Sequence, residues 1–177
     1  VEPSKQETLW VLRAQCGDRE ALELLLRSVQ PSLGRYVRGI VGGADADDIL
    51  QEILVIVFRK LAWLEFPELF RPWVFRIASR AAFRHLKREK QREARQEVMD
   101  PDTSAVDTAP PETELLEQLD NNAAISPASR AVLVLHFREE LSLPEVAAVL
   151  EIPLGTVKSR LAYGLTALRR QLNKGGV

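Results

Sequence analysis

Apolar side chains recur at steps of three and four along most of this chain, and no run alternates strictly enough to predict a strand. The expected fold is all-α. A first helix carrying Leu9, Val11 and Leu12 ends near Gly17-Asp18, and Asp18 is placed to cap a second. That second helix repeats Ala21, Leu22, Leu25, Leu26 and Val29 until Pro31, which is expected to interrupt it before helix resumes over 32–40 and stops at Gly42-Gly43. Residues 45–61 form a strong third element, AWLEFPELF reads as an aromatic loop, and 71–95 as one long helix. Segments 114–119, 127–137 and a pair of helices within 142–172 complete the set.

The last pair is the most specific pattern. Leu143, Val146, Ala147 and Leu150 form one apolar stripe; Val157, Leu161, Leu165, Leu168 and Leu172 form another. Between them lies Glu151-Ile152-Pro153-Leu154, where Pro153 removes a backbone donor and pushes Ile152 out of the α region, so the chain must turn. Two helices packed across such a turn make a helix-turn-helix, whose second helix can enter a DNA major groove. With the stripe inward, Ser159, Ala162, Tyr163 and Thr166 share the outward face. An ordinary αα-hairpin has the same pattern, and this stretch alone leaves that alternative open. Gly164, unfavourable inside a helix by about 1 kcal/mol against Ala, points to a close approach by another surface.

Charge sharpens the picture. The net charge of -1 at pH 7 conceals a strong segregation. Residues 1–95 hold 17 Lys and Arg against 13 Asp and Glu, residues 96–125 hold eight acids and no base, and residues 126–177 hold seven bases against four acids. Two basic bodies are thus joined by an acidic strap. The strap contains DPDTSAVDTAPPET, too polar and proline-rich to offset its ordering entropy, so 96–112 is expected to be a flexible linker between a domain at 1–95 and another at 113–177. The single Cys16 excludes an internal disulfide and fits a reducing cytoplasm, the expected location. No apolar run approaches the ~20 residues of a membrane span, and no signal-peptide pattern opens the chain. With two histidines and one cysteine, no cluster has metal-ligand spacing; no phosphate-binding glycine loop or nucleophile elbow is present either. A catalysed covalent reaction and a cofactor are therefore not expected.

Two helices carry the remaining candidate chemistry. On 45–61, Ile49, Ile53, Ile56, Val57 and Leu61 define a buried face; Asp48, Gln51, Glu52, Val55 and Arg59 stand opposite. That face is either simply solvated or offered to a basic partner helix, and its first-turn acids also complement the helix dipole. The long helix holds nine bases, Arg71, Arg76, Arg80, Arg84, Lys87, Arg88, Lys90, Arg92 and Arg95, against Glu89 and Glu93. Arg76, Arg80, Arg84, Lys87 and Arg88 make one cationic stripe. Trp73 and Phe75 lie at its start, with Trp63, Phe66 and Phe70 just before. Cations that hold phosphates beside rings that stack on unstacked bases suit single-stranded nucleic acid, at about 1–3 kcal/mol per stacked base. Some of these rings, Trp73 and Phe75 among them, can equally belong to the core.

The ordered series Asp-Asp-Ile-x-Gln-Glu (47–52), Val-Phe-Arg-Lys-Leu (57–61), Phe-x-x-Trp-Val-x-Arg-Ile-Ala (70–78), an acidic linker, and Ile-Pro-x-Gly-Thr-Val-Lys-Ser-Arg-Leu (152–161) resembles the extracytoplasmic-function sigma factors, the minimal two-domain members of the sigma-70 family. The resemblance covers nearly the whole chain except the linker. It implies two small helical domains and a factor that confers promoter choice on core RNA polymerase and opens DNA. By the same resemblance, Asp45, Asp48, Gln51, Glu52 and Phe58 correspond to the surface docking on the clamp helices of the largest polymerase subunit. Phe66, Phe70, Trp73, Arg76, Arg80, Arg84, Lys87 and Arg88 correspond to the element that reads and melts the −10 region, with a base flipped into the loop 62–69. Pro153, Thr156, Lys158, Ser159, Arg160 and Tyr163 correspond to the −35 contact. The second domain would also meet the flap of the second-largest subunit, and the linker would thread the polymerase towards its RNA exit path. An anti-sigma protein is the expected regulator, with no direct insertion in a membrane.

Five positions depart from the family's pattern. Arg80 stands where Asn is common and Arg84 where Asp is common, which shifts the −10 contact from a base-edge reader towards phosphate or guanine. Glu151 replaces the usual turn glycine, so that turn must avoid positive φ or bear strain. Tyr163 and Leu165 occupy positions that are often basic. Two other classes fit parts of the chain: a dimeric operator-binding regulator explains 142–172 but leaves the aromatic-basic helix idle, and a helical scaffold would use the same faces for protein alone.

Overall fold

The computed structural model describes residues 5–96 and 124–174; the expected linker beyond Gln96 and the helix expected at 114–119 lie outside the described residues. Every regular element among the described residues is helical. In order these are α1 (Lys5–Gln15), α2 (Arg19–Val41), α3 (Ala46–Lys60), 3-10 turns at Leu61–Trp63 and Pro67–Leu69, and α4 (Phe70–Gln96). There follow α5 (Pro127–Leu133), running into a π-helical turn at Val134–Arg138, then α6 (Leu143–Leu150) and α7 (Leu154–Lys174).

Local chemistry accounts for most boundaries. Gly17 ends α1 at φ +92°, a conformation cheap only for glycine, and Asp18 then caps α2 by accepting from the Ala21 N–H at 3.1 Å. That bond, with Arg13 donating to the same carboxylate at 2.8 Å, holds the Asp18 carboxyl below its ordinary pKa. Gly42, at φ +88°, closes α2 by donating to the Arg38 carbonyl.

The break expected at Pro31 does not occur: α2 runs unbroken through it. An internal proline deletes one backbone donor and costs about 3 kcal/mol. Leu25, Val29, Leu33, Tyr36 and Val37 are all buried on one stripe spanning the proline. At about 1.5–3 kcal/mol per large side chain, that burial outweighs the lost bond.

The first four helices enclose Val11, Leu25, Val29, Leu33, Ile53, Val57, Val74 and Phe75. Tyr36 lies edge-on to Phe75 at 5.3 Å, and its hydroxyl shares a 2.6 Å hydrogen bond with Ser79, tying α2 to α4 inside the core. The same apolar cluster continues into the C-terminal helices through Ala131, Val132, Leu135, Leu141, Val146 and Val149. The two groups of helices therefore pack on each other, α6 against α4 and α5 against α2. A smaller cluster of Ile125, Leu133 and Leu168 holds α5 to α7. There Gly164 meets Leu133: a Cβ on the glycine would lie 2.6 Å from Leu133 Cδ1, the close approach that a glycine in mid-helix announces.

Candidate nucleic-acid interface

The face of α3 opposite its buried stripe carries Asp45, Asp48, Gln51 and Glu52, all exposed, together with Val55 and Phe58. Phe58, 60% exposed in the last turn beyond these polar residues, adds a large apolar side chain to the face. Two of the acids are engaged within the chain. His85 lies 3.2 Å from Asp45, and Arg84 donates to Glu52 at 2.6 Å.

The aromatic loop follows directly. Trp63 is 82% exposed, with Phe66 and Leu69 also standing into solvent. Pro67 opens the short turn whose Leu69 N–H bonds back to the Phe66 carbonyl at 2.9 Å, fixing the tip. Gln15, at the end of α1, donates its amide to the carbonyls of both Leu61 and Leu64, at 2.9 and 2.8 Å, and so clamps the loop on either side of Trp63. Nothing in the sequence singled out Gln15, because its partners lie almost fifty residues away. Phe70, grouped with the −10 residues, points inward instead and is 2% exposed. Trp73 is half-buried against it, with ring centroids 6.3 Å apart.

The bases of α4 are partly engaged within the chain, Arg80 and Arg84 of the stripe and Arg71 ahead of it. Arg71 donates to Glu7 at 2.8 and 2.7 Å and reaches Glu139 at 3.4 Å. Pairing with Glu7 pushes its guanidinium pKa up, whereas burial raises that of the Glu139 carboxyl. Arg76 is half-buried, and its buried Nε has no hydrogen-bond partner. Arg80 holds Glu151 through two contacts, and Arg84 holds Glu52. Lys87 and Arg88 are exposed and make no ion pair among the described residues.

In the helix-turn-helix, Ser142 and Glu145 form a capping box that starts α6: the Ser142 N–H donates to Glu145 at 2.7 Å, and the Glu145 N–H to the serine oxygen. The Ser142 hydroxyl, donating to the Glu145 carboxylate at 2.6 Å, and then the Ser142 N–H hold that carboxyl below its ordinary pKa. The box is absent from the features expected from sequence, although Ser-x-x-Glu at 142–145 is the spacing that announces one. Glu151 closes α6 at φ +55°, so this turn does bear a left-handed non-glycine residue. The Pro153 carbonyl accepts from Thr156 and Val157 and opens α7. Pro153, Lys158, Ser159 and Tyr163 are exposed, Tyr163 at 73%, while Thr156 and Arg160 are half-buried. Ser159, Ala162, Tyr163 and Thr166 share one exposed face, as the spacing required. The Ser159 and Thr166 hydroxyls donate to Gly155 and Ala162 in their own helix at 2.9 and 2.8 Å.

Among the described residues no three His, Cys, Asp or Glu side chains come together to hold a metal, and no helix is long and apolar enough to cross a membrane. What the surface offers is a set of binding chemistries: exposed rings at a braced tip, guanidinium groups along one helix, and a second helix with a polar outer face.

Residues 25–92 match the family model for Sigma-70 region 2, and residues 123–170 that for Sigma-70, region 4. The chain is 32% identical to the ECF RNA polymerase sigma factor SigE of Mycolicibacterium smegmatis, over 98% of this chain and 71% of that protein. It is 28% identical to the RNA polymerase sigma-H factor of Pseudomonas aeruginosa, over 95% and 94%. The fold is shared with CnrH, solved with the cytosolic domain of CnrY, at a TM-score of 0.64 and 24% identity, over 96% of this chain and 99% of that one. The sigma factor RpoE of Bartonella quintana, solved with the anti-sigma factor NepR, matches at a TM-score of 0.65 and 22% identity, over 85% and 96%. The two regions in their order, together with full-length likeness to named relatives, mean that this chain belongs to the extracytoplasmic-function sigma factors of the sigma-70 family.

Proposed function

We propose that this sigma factor divides its work among three surfaces. The α3 face, with Phe58 as anchor and Asp45, Asp48, Gln51 and Glu52 on the turns before it, docks on a basic surface of core RNA polymerase, the clamp helices of the largest subunit. The braced loop with Trp63 and Phe66, followed by Trp73 and the bases from Arg76 to Arg88, holds the non-template strand of the −10 element and pockets a flipped base. The first turns of α7, with Pro153, Thr156, Lys158, Ser159, Arg160 and Tyr163, contact the −35 element in the major groove. The C-terminal domain meets the flap of the second-largest subunit, and the acidic linker follows the RNA exit path.

On this reading melting is a matter of binding energy. Unpairing costs a few kcal/mol, and stacking of about 1–3 kcal/mol per captured base repays it once polymerase supplies further contacts. No covalent bond is made or broken by this chain, and its place of work is the cytoplasm. Control by an anti-sigma protein is supported by the complexes in which CnrH and the Bartonella quintana factor were solved.

The observation that carries the proposal is the exposed Trp63 tip at the head of the α4 cationic stripe. Purified chain added to bacterial core polymerase is expected to yield transcripts from a specific subset of a promoter library. Occupancy of promoters without core would favour an operator-binding regulator instead. Failure to bind core at low salt, with any inhibitor removed, would end the sigma reading.

A further inference from the structure

The turn of the helix-turn-helix does not stand free. Glu151, held in the left-handed region at φ +55°, extends its carboxylate onto Arg80 in the middle of the α4 stripe. Arg80 Nε donates to one carboxylate oxygen at 3.0 Å and Nη2 to the other, the two-pronged geometry with which a guanidinium also grips a phosphate. Both side chains are on the surface, so the pair is open to competition. Arg80 and Arg76 together hold the Glu151 carboxyl below its ordinary pKa, and it remains charged at neutral pH.

The pair closes a broader junction. Val146 and Val149 of α6 share a buried cluster with Val74, Ala78 and Ala82 of α4. Arg130 of α5, itself buried, donates to the Gly39 carbonyl in the last turn of α2. Arg71 bridges Glu7 of α1 to Glu139 beyond the π turn. Apolar contact supplies the adhesion, and the charged pairs fix the register. A nucleic-acid strand running along Arg76, Arg80 and Arg84 would need the space that the Glu151 turn fills.

We propose that Glu151 is an intramolecular stand-in for a DNA phosphate: it latches the helix-turn-helix onto the basic helix of the free chain and occupies Arg80 until an opened strand takes its place there. The proposal rests on the sigma reading for what displaces the latch, and on geometry alone for the latch itself.

The chain's single, exposed cysteine, Cys16, allows a direct test in the full-length protein. A donor–acceptor dye pair on Cys16 and on Cys introduced at the exposed Thr166 reads the distance between the two groups of helices. High transfer is expected for the otherwise unchanged chain. Glu151→Arg, which sets two guanidinium groups against each other, is expected to lower transfer, and the charge swap Arg80→Glu with Glu151→Arg to restore it. Glu151→Gln is expected to raise the affinity of the free chain for a single-stranded oligonucleotide by about two- to fivefold, the scale of a surface ion pair. Glu140→Gln, an exposed acid with the same charge change, controls for net charge and is expected to have no effect. Unchanged transfer in Glu151→Arg, or equal gains in affinity from Glu151→Gln and Glu140→Gln, would overturn the latch. Transcription with core polymerase keeps the two readings apart: specific transcripts with unchanged transfer defeat the latch alone, whereas opening without any transcript defeats the sigma reading alone.

Discussion

The outer face of α3 and the cationic stripe of α4 adjoin each other, yet the free chain treats them in opposite ways. On α3, Phe58 and Val55 stand open to solvent, uncovered by any of the described residues. On α4, two of the five stripe bases, Arg80 and Arg84, are each held by an acid, Glu151 from the C-terminal group of helices and Glu52 from α3. The difference follows from the two kinds of energy. An apolar anchor gives little away until a shaped partner buries it. An unpaired row of guanidinium groups, by contrast, attracts any polyanion through counterion release. On the proposed reading, holding Arg80 and Arg84 while leaving Phe58 open favours meeting polymerase before DNA.

Substitutions can break this contrast at several points. Phe58→Ala is expected to weaken association with core polymerase by about thirtyfold, the scale of an interface anchor, without lowering Tm. Labelled-sigma titration of core measures it, and equal affinity would place the docking face elsewhere. Arg71→Ala probes whether the first base of α4 is structural: it strands the buried Glu7, and a loss of about 2 kcal/mol is expected in urea unfolding. Trp63→Ala leaves stability intact but is expected to reduce open complex about tenfold, scored by permanganate reactivity of unpaired thymines. Arg160→Ala is expected to lower initiation about fivefold only at promoters that depend on a −35 element. The smallest effect belongs to Glu52→Gln, which releases Arg84 and should raise non-specific oligonucleotide binding by less than about twofold.

Much of this was legible before any coordinate. The outward set of Ser159, Ala162, Tyr163 and Thr166, the Asp18 cap and the close approach at Gly164 follow from spacing and residue type, because each depends on neighbours within a turn or two or on a single missing side chain. The proline in α2 was misread because local propensity was weighed without the burial on either side of it. Phe70 shows the limit of residue type: a phenylalanine beside tryptophans fits base stacking and core equally, and only packing sends its ring inward. Least legible was the junction between the two groups of helices. Arg80 and Glu151 are 71 residues apart, and Arg130 reaches Gly39 across 91; no periodicity links such pairs. Arg80 and Glu151 nevertheless stood out as odd for their places, an arginine and a glutamate where the family more often has Asn and Gly.

The clamp formed by Gln15 has its own chemical corollary. Its amide spends both N–H groups on two carbonyls, so the bond pattern admits only a side chain that donates twice at that reach. Glutamate, almost the same in size, would turn lone pairs towards lone pairs. The tryptophan tip would then come adrift from the first helix while every helix kept its place, uncoupling the aim of the loop from the integrity of the protein.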